Sequence, residues 1–245
     1  MKVRELLILM LLIGLGSTQI IPAYAGWKDY LKAAEKAVGL SGDLSEDKII
    51  QGLKEALEIG TANAVKTVSQ KNGYYKDPKI RIPLPPSVQK VEKLLKTAGY
   101  GPQVDAFDLS MNRAAEQAAT EAKPIFWDAI KQMNFDDARR ILDGKDNEAT
   151  LYFRDKTENR LKEIFKPIVH KTMSRVGVTR RYQELDGAVR SIPFAGNLSF
   201  DLDQYVTDGA LDGLFFMLAE EERKIRQDPA ARVTDLLKEV FGSAQ

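Results

Sequence analysis

The sequence contains no cysteine and only one histidine, His170, among its 245 residues. Without cysteine, neither a disulfide framework nor a thiolate metal site can form. One histidine cannot build a histidine metal cluster, and neither a glycine-rich nucleotide loop nor a nucleophile elbow occurs. The 36 Lys and Arg balance 35 Asp and Glu, so the chain lacks the excess of basic residues that is typical of nucleic-acid-binding proteins. We therefore predict no metal, no cofactor and no nucleic-acid partner.

The beginning of the chain carries the pattern of an export signal. Two basic residues precede a continuous apolar run over residues 6–15, and Ala-Tyr-Ala at residues 23–25 supplies the small residues that precede cleavage. The apolar run is too short to cross a hydrocarbon core of about 30 Å. We expect residues 1–25 to be a signal peptide and residues 26–245 to be a periplasmic domain without a transmembrane segment.

Apolar residues recur at helical spacing through most of the remaining sequence, and no alternating strand pattern is sustained. The pattern predicts an all-α, single multi-helix domain, with a kink at Pro167. A brief alternation over residues 198–202 leaves open a short strand that pairs with residues 80–84. The predicted helices span residues 27–38, 45–70, 87–98, 103–121, 125–133, 147–176, 179–190, 201–227 and 230–241.

One long segment, residues 71–86, breaks the helical pattern because it contains three closely spaced prolines. Ile80, Ile82 and Leu84 alternate along it, so one side can lie on a hydrophobic surface. The pattern predicts a proline-rich extended strap. The strap either closes the core or covers a ligand groove beneath residues 74–86.

Two charged residues fall on helix faces that are otherwise apolar, Arg154 in the helix 147–176 and Glu221 in the helix 201–227. An unpaired buried charge costs several kcal/mol, so we hypothesise that both residues share one polar core. The competing interpretation is a buried ion pair that sets the helix register. The other candidate ligand-binding residues are Asn112, Arg113, Glu116, Thr150 and Thr157.

Charge is also segregated along the chain. Residues 154–181 are strongly basic, whereas residues 201–222 contain acidic residues and no basic ones. The pattern predicts that these two helices pair within the domain, and an interface between copies is the alternative. An acidic stripe of Asp201, Asp208 and Asp212, with Tyr205, could bind a cation, but a solvated acidic face is the favoured interpretation.

Five stretches of the sequence resemble the bacterial domain-of-unknown-function 4197 family. Together with their spacing they cover about residues 40–242, and the resemblance implies an exported, helical bacterial protein. It implies no activity and no catalytic residue. The stretches are IRIPLP at residues 80–85, MNRAAE at 111–116, KPIFWDAI at 123–130, ATLYFRDKT at 149–157 and the segment 205–242, which begins YVTDGALDGLF.

These observations leave three functional hypotheses. The leading one is a non-catalytic protein that binds a small or lipophilic ligand, or a partner protein, beneath the strap. The second is a hydrolase or lyase that uses Arg154, Glu116 and Glu221 as a buried cluster. The third is a cell-envelope scaffold, which would self-associate or bind an envelope partner.

Overall fold

The computed structural model describes residues 46–175, 183–184, 187 and 201–227, and these residues include no β-strand. The predicted all-α fold is confirmed. The helices predicted over residues 27–38, 179–190 and 230–241, and the possible strand over residues 198–202, lie wholly or mostly outside the described residues. The described helices are α1 Glu46–Ser69, α2 Pro86–Leu95, α3 Gly101–Ala119, α4 Ala122–Gln132, α5 Phe135–Asp143, α6 Glu148–Arg175 and α7 Leu202–Gln227, with a π-helical turn, Lys96–Tyr100, between α2 and α3.

Helix α5 corrects the sequence pattern, which predicts no helix over residues 135–143. Its N-terminus is closed by a capping box, in which Asp137 N donates to Asn134 Oδ1 at 2.8 Å and Asn134 N donates to Asp137 Oδ2 at 3.3 Å. Its buried residues Ala138, Ile141 and Leu142 follow the helical spacing. Helix α5 has nine residues, which is too short for the spacing of apolar residues to identify a helix. The pair Asn134 and Asp137, which forms the capping box, was the sequence feature that could have predicted it.

Helices α6 and α7 form the long central pair of the fold. Helix α6 continues through Pro167, and both helices bury apolar residues along their facing sides. An aromatic cluster joins this pair to α4, because Phe126 packs edge-on against Phe153 and Phe215 with ring centroids 5.2 and 6.1 Å away. This packing fixes the position of α4 relative to α6.

The predicted pairing of the basic and acidic segments is confirmed. Three ion pairs cross from α6 to the segment around α7: Arg154 to Asp212 at 3.4 Å, Lys162 to Asp208 at 3.8 Å, and Lys166 to Asp201 at 3.1 Å. His170 Nδ1 also forms a hydrogen bond with Asp203 Oδ2 at 2.7 Å. The acidic stripe therefore faces basic side chains of the same chain. Because these pairs are exposed, each one stabilises the fold by less than about 1 kcal/mol.

The strap packs against a glycine channel on α7. Ile80, Ile82 and Leu84 are buried and Arg81 and Pro83 are exposed, so the predicted alternation is confirmed. The predicted extended conformation over residues 71–86 is too long, because residues 71–76 and 78–80 form turns and only residues 81–85 are extended. The channel is formed by two glycines one helical turn apart, Gly209 and Gly213.

Side chains of the strap fill the channel completely at Gly213. A Cβ atom there would lie 2.5 Å from Tyr74 Cε1 and 3.1 Å from Ile80 Cβ, and one at Gly209 would lie 3.1 Å from Ile82 Cγ1. At these two positions the strap's own side chains occupy the space beneath it, which supports the interpretation that the strap closes the core.

We expect Gly213→Ala to lower the free energy of unfolding by about 1–3 kcal/mol, because the new methyl group must displace the buried Tyr74 ring. The matched control is Gly60→Ala in α1, where the nearest atom to an added Cβ is Ile225 Cδ1 at 3.4 Å. The control should be neutral or stabilising by up to about 1 kcal/mol, since alanine favours helix. Urea unfolding followed by circular dichroism measures both. Equal stability of Gly213→Ala and the wild-type protein would contradict the described strap.

Candidate functional site

Asn112 on α3 holds the middle of the strap through its side-chain amide. Its Oδ1 accepts a hydrogen bond from Ile82 N at 2.8 Å, and its Nδ2 donates to Ile82 O at 3.0 Å. The side chain thus gives the extended strap the two hydrogen bonds that a neighbouring strand would supply. Asn112 was predicted to bind a ligand, but it is fully buried and its side-chain amide is hydrogen-bonded to the backbone of Ile82.

Glu116 and Arg113, also on α3, hold the start of the strap. Glu116 Oε1 accepts hydrogen bonds from Tyr74 N at 3.3 Å and Tyr75 N at 3.4 Å, and Glu116 Oε2 pairs with Arg113. Arg113 Nη2 donates to Asn72 Oδ1 at 2.6 Å, at a turn where Asn72 has a φ of 70°. The charge of the buried Glu116 carboxylate is thus balanced by Arg113, and two backbone amides donate hydrogen bonds to it.

The side chains of Arg81 and Tyr74 make further polar contacts that hold the strap. Arg81 pairs with Asp108 on α3, and its guanidinium carbon lies 4.6 Å from the centre of the Tyr75 ring. Burial raises the pKa of the Asp108 carboxyl above its ordinary value, although Arg81 opposes the shift. The Tyr74 hydroxyl donates to Ala210 O at 2.5 Å, and burial raises the pKa of this phenol, so it stays a neutral donor.

Arg154 and Glu221 do not share a polar core, which corrects the central hypothesis. Arg154 is partly exposed, pairs with Asp212, and places its guanidinium carbon 4.6 Å from the centre of the Phe215 ring. Glu221 is buried and accepts from Asn63 Nδ2 on α1 at 3.2 Å and from Lys224 Nζ at 2.5 Å. Asp212 and Glu221 are nine residues apart, which separates them by roughly 13 Å along α7.

Glu222 is, like Asp108, a buried carboxylate that the sequence pattern did not single out. Its two oxygens accept from Ala149 N at 3.0 Å, Thr150 N at 2.9 Å and Thr150 Oγ1 at 2.8 Å. They therefore cap the N-terminus of α6, where two amides have no partner within the helix. Arg226 Nη2 donates to Glu222 Oε1 at 3.0 Å and to Ile141 O, near the end of α5, at 2.9 Å. Thr150, a predicted site residue, belongs to this cap.

We expect Glu222→Ala to lower the free energy of unfolding by about 3 kcal/mol, because it leaves α6 uncapped and removes the buried partner of Arg226. Glu220→Ala is the matched control, since Glu220 lies two residues away and its ion-pair partners among the described residues are the exposed Lys79 and Arg223. Chemical denaturation of both variants tests the difference. A loss no larger than that of the control would show that the cap contributes little.

The remaining predicted residue, Thr157, lines a surface groove between α4 and α6, which we call the α4–α6 groove. Its hydroxyl donates to Phe153 O at 2.6 Å, so Thr157 offers the groove chiefly its methyl group. The groove has a volume of about 480 Å³. Its lining residues are Pro124, Ile125, Asp128, Ala129, Gln132, Asn134, Asp137, Tyr152, Lys156, Thr157, Arg160 and Ile164.

A hydrogen bond also connects the two sides of the groove, because Tyr152 OH on α6 donates to Ala129 O on α4 at 3.0 Å. Burial raises the pKa of Tyr152 above its ordinary value, and the nearby Asp137 carboxylate adds to the shift. The Tyr152 phenol is therefore a neutral donor. The groove combines a rigid floor with charged and amide side chains at its rim.

Within residues 46–175 and 201–227, no three His, Asp or Glu side chains are grouped so that they could hold a metal ion. In the same part of the chain, no helix has the length and apolar composition needed to cross a bilayer.

The model of the family described as "Protein of unknown function (DUF4197)" matches residues 43–242. No curated protein and no solved structure matches the chain.

Proposed function

The chain belongs to the DUF4197 family, whose activity is unknown, and we propose that it is an exported, non-catalytic protein that binds a small amphipathic ligand in the α4–α6 groove. The observation that carries the proposal is the groove itself. Its volume of about 480 Å³ lies in the range of ligand pockets. Half of its twelve lining residues are charged or amide side chains and the rest include apolar ones, so an amphipathic ligand would find partners of both kinds.

The hydrogen bonding of the buried carboxylates supports binding over the hydrolase or lyase alternative. A general base needs a carboxylate oxygen within reach of a substrate. Glu116 instead accepts from two backbone amides and pairs with Arg113, and Glu221 accepts from the side chains of Asn63 and Lys224. Arg154 lies at a third place in the fold, so the residues of the proposed catalytic cluster do not converge.

Groove-filling variants test the binding function with 8-anilinonaphthalene-1-sulfonate, a fluorescent probe that is both anionic and apolar. We expect one saturable site in the wild-type protein and at least tenfold weaker binding for Ile164→Trp, because the indole would occupy the groove. Ile168→Trp is the matched control. Ile168 is a half-buried isoleucine one turn further along α6 and does not line the groove.

The control should bind the probe as tightly as the wild-type protein, and circular dichroism establishes that both variants are folded. Equal binding by Ile164→Trp and the wild-type protein would place the probe elsewhere and remove the support for the groove.

Export rests on the sequence of residues 1–25, with a basic start, an apolar run and small residues before the expected cleavage point. We expect the mature protein to begin at Gly26 and to fractionate with the periplasm. N-terminal sequencing and intact mass measurement of protein isolated from fractionated bacterial cells test this. A mature chain that starts at Met1 and stays in the cytoplasmic fraction would contradict export.

A further inference from the structure

The two sides of the α4–α6 groove carry opposite charge. The α6 side holds Lys156 and Arg160, whereas Asp128 on α4 and Asp137 on α5 line the opposite side. We propose that the ligand is zwitterionic, a short peptide whose carboxylate faces the basic side and whose ammonium group faces the acidic side. This inference rests on the proposed function and specifies the ligand class of the same site.

The basic side presents two cations in line. Lys156 and Arg160 are four residues apart in α6, so they stand on successive turns of the same face, about 6 Å apart at their Cβ atoms. Lys156 Nζ lies 3.8 Å from Asp155 Oδ2, and Arg160 Nη1 lies 3.0 Å from Glu163 Oε2. Both ion-pair partners are on α6 itself and well exposed, so they compete weakly with a bound carboxylate.

The two carboxylates of the acidic side also contact residues on their own side of the groove. Asp128 Oδ1 lies 3.7 Å from Lys131 Nζ on its own helix, and Asp137 Oδ2 accepts from the backbone of Asn134. Among the described groove residues, no ion pair joins one side to the other. The opposite charges therefore face the groove without neutralising each other across it.

This charge distribution favours a peptide over a lipid-like ligand. An acyl chain laid along the groove would desolvate Asp128 and Asp137 without offering them a hydrogen-bond donor. A peptide offers an ammonium donor to these carboxylates, and its amide groups match the side-chain amide of Gln132. Three apolar lining residues, Pro124, Ile125 and Ile164, suit an apolar peptide side chain.

Isothermal titration calorimetry with three tripeptides tests the inference: trileucine with free termini, its N-acetyl form and its C-terminal amide. We expect wild-type protein to bind trileucine and to bind each blocked form at least tenfold more weakly. Asp128→Asn should reduce the discrimination against the acetylated form. Lys156→Gln combined with Arg160→Gln should reduce the discrimination against the amide.

The matched controls are Asp136→Asn and the double variant Lys90→Gln with Lys93→Gln, which change exposed charges outside the groove. They should keep the wild-type preference for free termini. Equal binding of all three tripeptides, lost in Ile164→Trp, would overturn the zwitterionic ligand while the groove remained a binding site. No binding of trileucine would also overturn it, and the fluorescent probe would then decide the binding function separately.

Discussion

The extended strap depends on hydrogen bonds that its backbone cannot obtain from a sheet. Asn112 supplies both partners of Ile82 in the extended part of the strap, and Glu116 accepts from Tyr74 and Tyr75 in the preceding turns, so amides of both parts are satisfied from one helix. Leaving such a group unpaired costs about 1–3 kcal/mol. The glycine channel on α7 provides the space in which the strap lies close enough to form these bonds. The strap, α3 and α7 therefore stabilise one another.

The same constraint explains the use of buried charge elsewhere in the fold. Glu222 caps the first turn of α6, and Arg226 joins this carboxylate to the last turn of α5. In a helical protein, the amides and carbonyls at helix ends are the backbone groups that lack partners. Buried carboxylates and guanidinium groups supply those partners here. These buried side chains are hydrogen-bonded within the fold. The binding function that we propose therefore uses side chains at the surface.

The α4–α6 groove follows from this architecture. The edge-on contact between Phe126 and Phe153 and the hydrogen bond from Tyr152 to Ala129 hold α4 against α6 at a fixed spacing. The two sides of the groove consequently come from different helices, and their charges can differ in sign without forming a direct ion pair. A rigid groove of this kind loses little entropy on binding a ligand, which favours a binding role.

Patterns in the sequence predicted much of this architecture. Helical spacing predicted most described helices, the alternation of Ile80, Ile82 and Leu84 predicted the buried side of the strap, and segregated charge predicted the pairing of α6 with α7. The partners of single polar residues were decided only by tertiary structure. Periodicity shows that a face is covered but not which element covers it. Arg154 occupies an apolar face because its guanidinium group lies over the Phe215 ring and also reaches Asp212, whereas the amides that Glu222 accepts from belong to another helix.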